Sequence, residues 1–251
     1  MSMDALYDTI GRSYADTRRP DPRIAAAIER ALDGSSAVVN VGAGAGSYEP
    51  PQTRWAIEPS QTMIDQRRPG AAPAIRSTAE RIPLADGEAD AALAVLTIHH
   101  WSDLEAGIAE MRRVAAGRVV ILTWDPVVGT SHWLSRDYLP ELAAWDATRF
   151  LPIEDVAAPM GGAETTVVPI PTDCTDGFMG AFWRRPEAYL DPAVRAGISF
   201  FSHPDAPSFD AGLARLGDDL KSGEWRRRNA ELLELDEFDV GYRLLSVGRA
   251  S

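Results

Sequence analysis

The chain has 251 residues, of which 45% are hydrophobic and 25% charged, so it has the composition of a globular protein with a sizeable core. No apolar stretch approaches the roughly 20 residues of a membrane span, and the formal net charge of −12 disfavours nucleic acid, whose binding depends on clustered Lys and Arg. The sequence begins without the basic segment and apolar core of a signal peptide, and we expect a cytoplasmic protein without membrane or nucleic-acid partners.

The first 125 residues predict strands that alternate with helices, which is typical of a parallel α/β sheet. Apolar, β-branched runs predict strands at 37–41, 54–57, 74–76, 89–96 and 118–123. One helix begins at Asp21-Pro22, and another is predicted over 104–114, where apolar residues recur with helical spacing.

The second half of the chain is richer in aromatic residues, because 15 of the 20 lie at or after Trp124. It predicts helices over 126–160 and 176–233, a strand at 165–169 and a last strand at 240–247. The aromatic residues either pack these helices onto the sheet or line a cap over a pocket for an apolar molecule. If they line a cap, the residues expected to face a substrate are Trp133, Phe178, Phe182, Trp183 and Phe200.

The strongest local motif is a buried strand that runs directly into the glycine-rich turn 42–46. Glycines permit positive φ and let a ligand approach the bare backbone at the carboxyl end of the strand. The spacing is GxGxG, with Ser47 at the third glycine position of a dinucleotide fold, which disfavours NAD. Glu58 ends the next strand and can accept two hydrogen bonds from a ribose diol; the alternative is a surface carboxylate that caps the helix beginning near Ser60.

Together with two further segments, these motifs resemble the class I S-adenosylmethionine-dependent methyltransferases, in particular the small-molecule branch called type 11. Residues 77–91 resemble the third motif of that family, and 96–101 followed by 110–114 resemble the end of its fourth strand and the next helix. The resemblance implies one Rossmann-like α/β domain, with a mostly parallel seven-stranded sheet and an antiparallel last strand. The segments 126–160 and 176–233 would form a helical cap over the active site, and 1–20 would cover the cofactor.

The resemblance also implies that the cofactor is S-adenosylmethionine. Its methionine part would lie against the glycine turn and Leu96, its ribose on Glu58 and its adenine near Met63. The positions implied to contact it are Tyr14, Gly42, Ala43, Gly44, Glu58, Pro59, Met63, Thr78, Ala79, Glu80 and Leu96.

Two positions depart from the family pattern. Thr78 stands where Asp is frequent, and Asn40 stands where an acid is usual. Asn40 keeps an acceptor but lacks the charge that attracts the ammonium group of the cofactor, so we expect Asn40→Asp to leave binding unchanged or to tighten it modestly.

The histidine pair His99 and His100 follows the fourth predicted strand, beside the expected methyl group. A neutral imidazole with an ordinary pKa near 6.5 can act as a general base there; the alternative is a helix cap or a hydrogen-bonded core residue. Asp125 can orient a histidine or the acceptor, although a turn residue before proline explains it equally. His132 and His203 lack the neighbouring ligands of a metal site, and no metal is predicted.

These features favour a methyltransferase that acts on a small, partly apolar molecule. Oxygen is the favoured target because the histidine pair offers a base, with nitrogen and carbon left open. Two alternatives remain: methylation of an acyl group tethered to a carrier protein, and a regulatory protein that binds S-adenosylmethionine without turnover.

Overall fold

The computed structural model describes residues 19–202 and 208–248. Its strands are β1 Val38–Val41, β2 Thr53–Ile57, β3 Ala74–Ile75, β4 Ala89–Val95, β5 Ala115–Trp124, β6 Glu164–Val167, β7 Ile170–Pro171, β8 Glu237–Phe238 and β9 Tyr242–Gly248. Seven of them form one sheet in the order β3-β2-β1-β4-β5-β9-β6, while β7 and β8 form a separate antiparallel pair. Neighbours from β3 to β5 are parallel, and β9 is antiparallel to both β5 and β6. The predicted seven-stranded, mostly parallel sheet with an antiparallel last strand is confirmed.

The helices are α1 Pro22–Leu32, α2 Gln61–Asp65, α3 Leu104–Val114, α4 Pro126–Thr130, α5 Glu141–Asp146, α6 Ile153–Met160, α7 Pro192–Ala196, α8 Ser199–Ser202, α9 Asp210–Ser222 and α10 Glu224–Arg228. Aspartates cap several of these helices, as the sequence indicates for α1. The Asp21 carboxylate accepts a hydrogen bond from the Arg23 backbone at 2.9 Å, and Asp103 accepts one from Ala106 at 3.0 Å at the start of α3.

Helices cover both faces of the sheet. Helix α1 buries Ile24, Ile28 and Leu32 on one face. On the other face, α3 and α6 share a core with the strands, to which α6 contributes Val156 and Met160. The helix Ile153–Met160 therefore belongs to the sheet layer, which corrects the predicted extent of the cap segment 126–160.

A third core joins the segment after β5 to the helices before β8. It contains buried residues from 133–142 together with residues from 189–225. Trp133 lies at its centre, with its ring centroid 5.2 Å from Trp225 and 5.6 Å from Tyr189. Aromatic packing thus holds these helices together in one layer. None of the helices in the described ranges is long and apolar enough to cross a membrane.

Candidate active site

A cavity of about 570 Å³ opens at the carboxyl ends of β1, β2 and β4. Most of the positions implied to contact the cofactor line this cavity: Gly42, Ala43, Gly44, Glu58, Pro59, Met63, Thr78, Ala79, Glu80 and Leu96. His100 lines it as well, whereas Tyr14 lies outside the described residues. Sequence reasoning missed other lining residues, among them Tyr48, Gln66 and Trp101.

The glycine turn requires its glycines for two reasons. Gly42 has φ +69°, and a Cβ added there would lie 2.7 Å from Thr97 Cγ2 and closer still to its Oγ1. Gly44 has φ +52°, and a Cβ at that position would lie 3.3 Å from Met63 Cε. Because neither position carries a side chain, the turn contributes backbone atoms to the wall of the cavity at these two residues.

Glu58 is a buried carboxylate in the wall of the cavity, only 7% exposed. It accepts hydrogen bonds from the backbone N–H of Gly44 at 2.8 Å and of Ser60 at 2.9 Å. The residue that caps α2 is Ser60, whose hydroxyl accepts a hydrogen bond from the Met63 backbone at 3.3 Å. The carboxylate of Glu58 is thus fixed between the glycine turn and α2, and the alternative of a surface cap does not describe it.

Glu80 connects the segment after β3 to the segment after β4. Its carboxylate accepts hydrogen bonds from the backbone and hydroxyl of Ser102, at 2.8 and 2.9 Å, and from the Asp103 backbone at 3.2 Å. Burial would raise the pKa of Glu80, but hydrogen bonds from its own backbone, Thr78, Asp103 and Ser102 outweigh burial and lower it. An ionised Glu80 therefore holds these two walls of the cavity together.

A polar network that the sequence did not reveal lies beneath the glycine turn. Asn40 is 1% exposed and lines the cavity, and its Nδ2 donates to Glu49 Oε2 at 3.2 Å. Glu49 forms an ion pair with Arg67 at 2.6 Å, and Arg67 Nη1 donates to the Gly44 carbonyl at 3.1 Å. The network thus ties the end of β1 to the backbone of the turn.

His99 and His100 form the start of a row of rings. The His99 ring centroid is 3.8 Å from His100 and 4.6 Å from Phe150, and Phe150 is 4.9 Å from Trp124. Of the two histidines, only His100 is among the residues that line the cavity. Phe150 thus places the segment between α5 and α6 against His99, which follows the end of β4.

Both imidazoles are shifted away from the ordinary pKa that the sequence suggested. Burial first, and then the positive charge of Arg149, lower the pKa of His100 to about 4. Burial, His100 and Arg149 lower the pKa of His99 well below 6.5. The expected pKa near 6.5 is therefore wrong, and both rings are neutral at physiological pH.

Asp125 lies outside the lining of the cavity. Its Oδ1 accepts a hydrogen bond from the Val127 backbone at 3.0 Å, which caps α4, and its Oδ2 lies 3.4 Å from Arg243 Nε. These contacts fit the role of a turn and cap residue for Asp125, rather than that of a residue that orients a histidine or the acceptor.

The sequence did not single out Asp146, yet burial raises the pKa of this carboxyl to about 7, against the opposing effect of Arg149.

The five aromatic residues proposed to face a substrate pack in the cores instead. Trp133 and Trp183 are almost fully buried, and the Trp133 Nε1 donates to the Trp183 carbonyl at 2.8 Å. Phe178 stacks on Tyr242 with a centroid distance of 4.5 Å. The other two are Phe182 and Phe200, and none of the five lines the cavity at the strand ends.

The described ranges contain no group of three or more His, Cys, Asp or Glu side chains arranged for a metal ion.

The family model of a type 11 methyltransferase domain matches residues 39–121, which span β1 to β5. The fold is similar to that of a candidate methyltransferase from an antibiotic biosynthesis pathway of Anabaena variabilis, with 36% identity, a TM-score of 0.82, and coverage of 92% of this chain and 98% of the other. No curated protein matches the chain in sequence.

Two more distant structures share the fold alone. One is an S-adenosylmethionine-dependent methyltransferase from Thermotoga maritima, with 17% identity, a TM-score of 0.56 and coverage of 98% of both chains. The other is the geranyl diphosphate C-methyltransferase of Streptomyces coelicolor, which contains S-adenosylhomocysteine; it has 15% identity, a TM-score of 0.53, and coverage of 91% of this chain and 77% of the other. The sheet order, the match over 39–121 and the 36% identity over nearly the whole chain lead to one conclusion: the protein belongs to the class I S-adenosylmethionine-dependent methyltransferases.

Proposed function

We propose that the protein transfers a methyl group to a hydroxyl oxygen of a small, partly apolar acceptor, and that His100 with His99 supplies the base. The observation that carries the proposal is the position of His100 in the wall of the cavity at the end of β4, with the ring of His99 tilted against it at a centroid distance of 3.8 Å. A neutral imidazole can accept the proton that a hydroxyl loses as its oxygen is methylated.

The residues of the cavity fit S-adenosylmethionine, which supplies an electrophilic methyl carbon when bound. Gly42 and Gly44 leave bare backbone for its methionine part, and the fixed carboxylate of Glu58 offers acceptors for the ribose hydroxyls. Met63 offers an apolar wall for the adenine, and the segment 78–80 offers a polar wall. The chain then has to hold donor and acceptor in line, since displacement at a methyl carbon depends mainly on positioning.

The Anabaena protein supports a small-molecule acceptor, because it is attributed to an antibiotic biosynthesis pathway and is 36% identical to this chain. The rings of Phe150 and Trp124 continue the row behind His99 and give the histidine pair an apolar setting on the side away from the cavity.

The test is single-turnover methyl transfer from S-adenosylmethionine to a library of hydroxylated aromatic compounds. With an accepted compound, alanine at the base should lower the rate by about 10²–10⁴-fold, the usual contribution of a general base, while affinity for S-adenosylhomocysteine stays similar. The rate of the wild type should stay level through neutral pH and decline only toward pH 4, where the imidazole of His100 takes up a proton.

The matched control is His132→Gln, which replaces a buried histidine that does not line the cavity. If His99→Ala, His100→Ala and the double variant all keep the full rate, the acceptor is a nucleophile that needs no base. The carrier-protein alternative would be supported if an acyl group is methylated only when it is attached to a carrier protein. Binding of S-adenosylhomocysteine without transfer to any acceptor would support the regulatory alternative.

A further inference from the structure

Tyr48 combines a strained backbone with a place in the wall of the cavity. It follows the glycine turn, lines the cavity and is 5% exposed. Its φ of +55° lies in the left-handed region, which residues with bulky side chains rarely adopt. Backbone strain of this kind persists only where the surrounding structure holds it, and it is concentrated at functional sites. Tyr48 is therefore a candidate for a role in the site beyond packing.

The hydroxyl of Tyr48 joins two distant segments of the chain. It accepts a hydrogen bond from the backbone N–H of Asp21 at 3.1 Å and donates one to Asp176 Oδ2 at 2.9 Å. Asp21 is 0% exposed and Asp176 is 1% exposed, so both hydrogen bonds are shielded from water. Burial first, and then the negative charge of Asp176, raise the pKa of Tyr48. The hydroxyl therefore keeps its proton and remains a donor to Asp176.

Asp21 connects the same two segments a second time. Its carboxylate accepts a hydrogen bond from the Thr175 backbone at 3.0 Å and forms an ion pair with Arg23 at 2.7 Å. Hydrogen bonds from Arg23 and Thr175 outweigh burial and hold the pKa of Asp21 well below its usual range. Pro20, the residue directly before Asp21, lines the cavity. The bond between the Asp21 amide and the Tyr48 hydroxyl thus ties the chain at Pro20 to the end of the glycine turn.

We propose that Tyr48 is a positioning residue whose hydroxyl, acting through Asp21, holds Pro20 in the wall of the cofactor cavity. Without the hydroxyl, the Asp21 amide loses its acceptor and the chain before α1 is no longer held in one position. The arrangement that binds the cofactor is then only partly populated, and the apparent affinity falls by that fraction. The proposal rests on the assignment of this cavity as the cofactor site.

The first experiment is calorimetric titration of the full chain with S-adenosylhomocysteine. Tyr48→Phe keeps the ring but removes the hydroxyl, and it should weaken binding by roughly 3- to 10-fold, the factor that one buried hydrogen bond provides. The matched control is Tyr189→Phe, because the buried Tyr189 does not line the cavity and its hydroxyl donates to the Met179 carbonyl at 2.6 Å. This control should lower the unfolding temperature and leave the affinity unchanged.

A double-mutant cycle tests whether Tyr48 acts through the chain at Pro20. Pro20→Gly removes the ring and frees the backbone at this position, so it should weaken binding by itself. In the Pro20→Gly background, Tyr48→Phe should cause little further loss, because no fixed wall residue remains for the hydroxyl to hold. Two independent losses that multiply would show that Tyr48 does not act through Pro20, and they would overturn the proposal.

Hydrogen exchange of the Asp21 amide gives a readout that packing alone would not change, and it needs no variant. If the bond to the Tyr48 hydroxyl favours cofactor binding, cofactor binding must favour the bond to the same extent. S-adenosylhomocysteine should therefore slow exchange of this amide in the wild type by roughly 3- to 10-fold. The control is the Ala193 amide, which donates to Asp191 at 2.8 Å at the start of α7 and should exchange at an unchanged rate.

The proposal also fails if Tyr48→Phe binds S-adenosylhomocysteine as tightly as the wild type, or if the ligand leaves exchange of the Asp21 amide unchanged. In both cases the cofactor site itself still stands, because the wild type binds the ligand. If the wild type does not bind it, the assignment of the cavity fails and the proposal falls with it. Thermal unfolding shows whether Tyr48→Phe folds; if it does not, the exchange of the Asp21 amide in the wild type decides.

Discussion

The sharpest structural prediction concerns Gly42. Replacing it with alanine puts an L side chain at φ +69°, which costs about 1–2 kcal/mol in the left-handed region. The new Cβ would also lie 2.7 Å from Thr97 Cγ2 and 2.9 Å from Thr97 Cβ, and such overpacking of a core typically costs about 1–3 kcal/mol. We therefore expect Gly42→Ala to lower the free energy of unfolding by about 2–5 kcal/mol, measured by urea denaturation.

Gly34→Ala is the matched control, because Gly34 has φ +75° but no atom within 4 Å of an added Cβ. It should lose only the cost of the left-handed backbone, about 1–2 kcal/mol. Thr97→Ala, combined with Gly42→Ala, removes the two closest atoms and should recover part of the loss. If Gly42→Ala costs no more than Gly34→Ala, Thr97 does not constrain the turn and the reasoning is refuted.

Three further predictions concern buried titratable groups. Glu58→Ala should weaken S-adenosylhomocysteine binding by about 2–4 kcal/mol in calorimetry, and unchanged affinity would refute its role at the ribose. Burial raises the pKa of Asp146 from its ordinary value of 3.8 to about 7 in the folded protein. As the pH rises from 3.8 to about 7, the unfolded chain ionises this carboxyl before the folded protein does, so the free energy of unfolding falls. Asp146→Asn should therefore raise the free energy of unfolding at pH 8 by about 2–4 kcal/mol and change little at pH 4. Burial lowers the pKa of His132 from 6.5 to about 3, so below pH 6.5 the unfolded chain takes up a proton that the folded protein does not, and the free energy of unfolding falls as the pH falls. His132→Gln should make this decline, measured by urea denaturation, shallower by about 1.4 kcal/mol per pH unit. An unchanged slope would show that His132 takes up protons in the folded state.

Local signals explain why much of the fold was predictable. The capped start of α1 at Asp21-Pro22 and the helical spacing over Leu104–Val114 depend on neighbouring residues, and the structure confirms both. The last strand was expected at 240–247 and is observed at Tyr242–Gly248. The glycine turn and Glu58 come together because the carboxyl ends of adjacent parallel strands meet at one edge of the sheet.

What the sequence did not reveal depends on contacts between distant residues. Glu49 and Arg67 lie on separate segments without any periodic pattern, so their ion pair emerges only from the fold. The pKa of His100 is set by burial and by Arg149, a residue of the segment after α5. Asp125 was placed correctly at the end of β5, but Arg243 from β9 lies against its carboxylate. The aromatic residues after β5 carried no signal that distinguishes a pocket wall from a helical core, and they form a core.

We assign the cavity at the ends of β1, β2 and β4 to S-adenosylmethionine, with its methyl group beside His100. A crystal structure of the protein with S-adenosylhomocysteine would test this assignment. We predict the ribose hydroxyls on Glu58, the homocysteine part against Gly42 and Gly44, and the sulfur directed toward His100. A nucleoside bound elsewhere, or a sulfur directed away from His100 with no space for an acceptor beside it, would contradict the account.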